Sequence, residues 1–169
     1  MTTISMHNAS VPVFVRLLKN LGIFIDKALV YADGKKIEHN TLLTARLAPD
    51  MLHFIKQVQI ATDNAKGCVA RLAGVDVPKY EDNEATFADL KARLAKTIAF
   101  LESIKPEQIN GSEDKNIELN FGPENKLQFK GLDYLLNFAS FNVFFHVTTA
   151  YGILRNNGVD VGKRDFIGG

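Results

Sequence analysis

The stretch Asn142-Val-Phe-Phe-His146-Val-Thr-Thr-Ala150-Tyr-Gly-Ile-Leu-Arg155-Asn-Asn-Gly158 carries apolar residues around a whole helical wheel. It holds a single histidine, and Gly158 stands where a left-handed C-terminal cap would fall. Upstream, Leu135, Leu136, Phe138 and Phe141 extend the pattern and predict one long helix over residues 132–156. Successive residues are about 100° apart on a helix, so Phe138, Phe141, Phe144 and Phe145 span too wide an arc to face one neighbour. Either this helix is central and buried on all sides, or part of its aromatic face meets a second subunit.

Working outward, Ile117 and Leu119 alternate with polar residues, Gly122-Pro123-Glu124-Asn125 supplies turn chemistry, and Leu127 and Phe129 resume the alternation. That is the pattern of a small β-hairpin, with Phe121 at its first strand's end. Before it, Thr86 and Asp89 form a variant capping box that opens a helix with Leu90, Leu94, Ile98 and Leu101 at helical spacing, ending near Ile104 ahead of Pro106. Pro49 suits the first turn of an earlier helix over residues 49–72, stopped by Gly74 before an extended acidic loop over residues 75–84. Val13, Phe14, Leu17, Leu18, Leu21, Phe24, Ile25, Ala28 and Leu29 predict the first helix over residues 10–31. Four long amphipathic helices bury their stripes most simply against one another. The expected fold is all-α: a four-helix bundle spanning residues 1–169 as one domain, with the hairpin inserted between helices three and four.

The composition narrows function by exclusion. Twenty basic residues against 19 acidic give no bulk attraction to nucleic acid, and no apolar run reaches membrane-spanning length. A lone cysteine, Cys68, and a start without a secretory pattern make a cytoplasmic protein the expectation. There is no phosphate-binding glycine loop, Cys-x-x-Cys, His-Glu-x-x-His or Gly-x-Ser-x-Gly motif. Cys68, in an apolar helical stretch whose local sequence supplies neither a base nor a pKa-lowering environment, reads as a packing residue.

His53 and His146 are the two histidines expected within long helices, whereas His7 and His39 are expected to face solvent. Asp50 and Gln57 share a face with His53, and Asn142 lies one turn before His146, so a polar stripe can form inside the helices. From spacing alone, the stripe reads first as a hydrogen-bonded network, the more common setting of two such histidines, and otherwise as the lining of a small-molecule pocket that would include Ala150 or as part of a metal site.

The segment Ile153-Leu-Arg155-Asn-Asn-Gly158, with His146 before it, resembles the last functional helix of DinB/YfiT-like four-helix bundles. Nearly the whole chain resembles a bacterial domain-of-unknown-function family within that superfamily. The resemblance is carried by Arg46-Leu-Ala-Pro-Asp-Met51, Gln57-Val-Gln59, Leu72-Ala-Gly74, Glu84-Ala-Thr-Phe87, Tyr151-Gly-Ile-Leu-Arg155-Asn-Asn-Gly-Val159 and Gly162-Lys-Arg-Asp-Phe166. It implies a divalent metal, nickel or zinc, on histidines of the second and last helices, here His53 and His146, with Asn142 where the superfamily has a further histidine. With a metal, the implied activity is hydrolysis or thiol transfer; without one, a small-molecule-binding or dimeric scaffold protein. The C-terminal segment from Gly162 either reaches over the bundle mouth with Lys163 and Arg164, or is a tail anchored by Phe166 and Ile167.

Overall fold

The computed structural model describes residues 4–120, 122 and 125–168. Among these, four long helices carry the core: α1 (Met6–Lys35), α3 (Phe54–Ala73), α4 (Phe87–Ser103) and α7 (Ser140–Asn156). Short helices α2 (His39–Leu43), α5 (Pro106–Ile109), α6 (Gly131–Asp133) and α8 (Lys163–Ile167) fill the connections. Strands β1 (Asn116–Asn120) and β2 (Lys126–Lys130) pair antiparallel, with Ile117 opposite Phe129 and Leu119 opposite Leu127. Ile117 and Leu119 point into the core, which gives the hairpin the apolar support that two strands alone lack. The expected turn residues Pro123 and Glu124, and the strand-end Phe121, lie outside the described residues.

α3 packs mainly on α7, and α1 on α4, while α3–α4 and α1–α7 contacts close the core. Phe14, Leu18, Leu21, Phe24, Ile25, Phe54, Leu90, Leu101, Leu135, Ile153 and Leu154 are all removed from water. Cys68 is among them, and burial pushes its thiol far up from the ordinary range, so it packs as a small apolar group.

Three local outcomes set the functional surface. The second long helix begins at Phe54 instead of residue 49, because residues 44–53 form a turn in which Phe54 N bonds Ala45 O and the Arg46 guanidinium bonds Met51 O. The last helical run is not uniform: residues Tyr134–Ala139 form a π-helical turn, with Ser140 N reaching Leu135 O five residues back. The cap predicted at Gly158 is present, with φ +86° and Val159 N bonded to Leu154 O. Beyond it the tail returns to α1: Phe166 stacks on Phe24 and meets Tyr151 edge-on, and Lys27 pairs with Asp165 at 2.7 Å. Phe166 is thus the tail's anchor, whereas Ile167 stays exposed.

Candidate functional site

His53 is the N-cap of α3 and not an interior helical residue. Its Nδ1 accepts from Lys56 N at 3.5 Å, serving one of the amides that every helix start leaves without a partner. With Nδ1 accepting, the neutral ring carries its proton on Nε2. Partial burial and the nearby positive charges of Arg46 and Lys56 hold the ring below its ordinary titration range. Asp50 is exposed in the turn before the helix.

One α-helical turn after His53, Gln57 is almost wholly buried. Its Nε2 donates to Leu52 O at 2.8 Å, which fixes the amide orientation and leaves Oε1 as an acceptor. His146 Nδ1 lies 2.7 Å from that Oε1, so Nδ1 is the protonated nitrogen and Nε2 keeps its lone pair. The bond joins α3 to α7 across the most closely packed helix pair of the fold. Burial lowers the His146 pKa, in keeping with a neutral ring. Phe145 stands edge-on to this imidazole, with ring centroids 5.2 Å apart. Asn142, one turn earlier, donates its amide to Phe138 O at 2.8 Å and retains Oδ1. Ala150 is fully buried among core side chains.

This donor set does not fit a tight transition-metal centre as arranged. His146 offers one imidazole lone pair at Nε2 and Asn142 one weak amide oxygen, while His53 spends its lone pair on the helix cap and presents an N–H. A tight zinc or nickel site takes three or four strong donors. Among the described residues, no group of three or more His, Cys, Asp or Glu side chains is placed to hold a metal ion.

Beside the pair, the outer face of α7 forms an open apolar groove of about 600 Å³ lined by Leu47, Phe141, Phe144, Phe145, Thr148, Thr149, Tyr151 and Gly152. Phe141 is 64% exposed, Phe145 56% and Phe144 39%, unusual values for phenylalanines on one helix face.

A second polar centre lies on the other side of α3. Arg93, on the apolar side of α4, has no exposed side-chain surface and meets Asp63, Asp82 and Glu84 within 3.1 Å. The signal for it was present as an arginine three residues after Leu90 and four before Thr97, on the stripe that faces inward, together with an acidic loop just upstream. The motif residues Gln59 and Glu84 belong to this centre, bonded to each other at 2.8 Å.

Residues 6–167 match the model of the family described as Domain of unknown function (DUF1993). The chain belongs to that family. The DUF1993 chain is also similar to a DinB family member protein from Shewanella denitrificans, known from a crystal structure at 1.83 Å resolution. The two share 40% identity, and the match covers 96% of this chain and 92% of that one with a TM-score of 0.86. No curated protein matches the DUF1993 chain. The overall fold of this family member is thus shared with a DinB family member, and no helix among the described residues is long and apolar enough to cross a membrane.

Proposed function

We propose that this DUF1993 protein is a homodimeric binding protein, a DinB-like four-helix bundle whose working surface is the aromatic outer face of α7. The observation that carries the proposal is the exposure of Phe141, Phe144 and Phe145 on a helix with no charged residue between Ser140 and Leu154. Interface cores are enriched in aromatic side chains and depleted of charge, and this face has both properties. At about 200 Å² per ring, the three phenylalanines leave roughly 300 Å² of aromatic surface in water. Leu47 and Leu136 extend the patch towards the roughly 800 Å² per partner of a standard interface. The π-helical turn supports that continuity, since its wider turn brings positions 136 and 141 closer around the helix axis than an α-helix would. A charge-free face is complementary to itself, as a two-fold interface requires. At its edge, the lone pair of His146 Nε2 and Asn142 Oδ1 are the acceptors that would read a small hydrogen-bonding ligand. Hydrolysis or thiol transfer through a metal finds no support in this donor set.

The test uses the chain's single, buried cysteine to advantage. In Thr148→Cys, the only accessible thiol is at the middle of the α7 face, since Cys68 is buried. Mild oxidation at micromolar concentration is expected to give a covalent dimer that disappears in Thr148→Cys/Phe141→Asp. A chain that stays monomeric on oxidation overturns the proposal.

A further inference from the structure

The segment over residues 74–85 crosses the α3–α4 side without regular structure, and residues 75–85 are exposed or half-buried, with the Glu84 side chain alone nearly covered through its ion pair. It contributes nothing to the apolar core, which passes from Leu72 directly to Phe87. What holds it is charge, and the holding point is Arg93.

The guanidinium of Arg93 is divided between two parts of the molecule. Its Nε donates to Thr62 Oγ at 2.7 Å, and one terminal nitrogen donates to Asp63 at 2.7 Å and to Gln59 O at 3.4 Å, all on α3. The other terminal nitrogen donates only to the segment, to Asp82 at 3.1 Å and to Glu84 at 3.0 and 3.1 Å. Further ties are of the same kind. Lys56 pairs with Asp82 at 2.9 Å, Gln59 donates to Glu84 at 2.8 Å, and the Tyr80 ring is approached by Lys96 at 3.9 Å, Lys66 at 4.6 Å and Arg93 at 5.2 Å. Asp82 and Glu84 are held below the usual carboxylate range by hydrogen bonds to these basic groups and to Gln59 against the opposing cost of burial, and Arg93 is held above its own.

We propose that residues 74–85 form an ionic strap over a cationic groove, latched by one edge of the Arg93 guanidinium and able to open while the helical core stays folded. The division of the guanidinium makes the two events separable. When the strap leaves, Arg93 keeps Thr62, Asp63 and the Gln59 carbonyl, so the α3–α4 joint retains a compensated charge. Opening uncovers Arg93 of α4 and Lys66 of α3, the latter still paired with Asp63 at 2.6 Å, beside Lys96, which is exposed already, and this groove would take an anionic ligand in place of the strap's own carboxylates. Gln59 Oε1, which is buried without a hydrogen-bond partner among the described residues, also lies under the strap.

Limited trypsin digestion tests this, because Lys79 lies at the strap's middle and cleavage there requires local opening. The full chain is compared with Glu84→Gln and, as a milder variant, Asp82→Asn, and helicity and thermal midpoint are recorded alongside. The expected result is cleavage after Lys79 at least about tenfold faster in Glu84→Gln, with a smaller rise in Asp82→Asn, while the helical signal and cooperative unfolding persist in both. Unchanged cleavage in both variants overturns the latch. Loss of cooperative unfolding in step with faster cleavage in Asp82→Asn overturns the separable strap.

Discussion

His146 and Gln57 are the residue pair on which the joint between α3 and α7 turns. Replacing His146 with alanine strands the buried Gln57 carbonyl oxygen, and a loss of about 1–3 kcal/mol in urea unfolding is expected. The same ring gives a pH signature. His53 and His146 both titrate below their ordinary 6.5 in the folded chain, so between the folded values and 6.5 the unfolded chain binds more protons. Stability is therefore fully present above about pH 6.5 and is lost as the pH falls through the folded values. Thermal midpoints between pH 5 and 8 are expected to rise and then level off, with a weaker rise in His146→Gln. A midpoint that falls across that range would contradict the neutral, Nδ1-protonated ring. Sequence spacing placed His53, Gln57, Asn142 and His146 near one another on two helices, and the structure joins two of them directly. It could not show that His53 is a cap, because a histidine rarely serves as one and Pro49 competed for the helix start.

At the scale of elements, the capping box of α4 was legible because Thr86 and Asp89 act on one another's backbone amides: Asp89 N donates to Thr86 Oγ at 3.1 Å, and Thr86 N to Asp89 Oδ2 at 2.9 Å. The stops at Gly74 and Gly158 were legible for an equally local reason, the left-handed backbone that each adopts. The π-helical turn of Tyr134–Ala139 was not, and the contacts around it join separate elements: Tyr134 and Phe138 stack on each other and both lie tilted against Phe129 of the hairpin. Tyr134 is clamped there with its hydroxyl 3.0 Å from the Arg71 guanidinium, and burial pushes its pKa up to about 12. Two predictions belong here. His53→Asp supplies a shorter, stronger cap beside Arg46 and Lys56 and is expected to stabilise the chain by about 0.5–1 kcal/mol in the urea midpoint. A destabilised His53→Asp chain would mean that the imidazole does more than cap. Arg93→Ala leaves the nearly buried Glu84 without its cation, although Asp63 keeps Lys66 at 2.6 Å, and is expected to cost about 3–5 kcal/mol, far more than a surface arginine would. A cost within the surface range would show that the cluster is solvated.

For the whole molecule, the wide aromatic arc of the last helix left two readings open, a helix buried all round or one that meets a second subunit. The structure separates its residues: Val143, Val147, Ala150, Ile153 and Leu154 face the core, while Phe141, Phe144 and Phe145 face outward. A chain that exposes three phenylalanines on one charge-free helix face has a reason to pair, and nothing among the described residues covers that face. The most direct measurement is the solution mass of the unaltered chain by light scattering through the micromolar range, beside Phe141→Asp. A mass of twice 18.7 kDa that falls to 18.7 kDa in the variant is the predicted result; a parent chain at 18.7 kDa throughout that range would contradict the account.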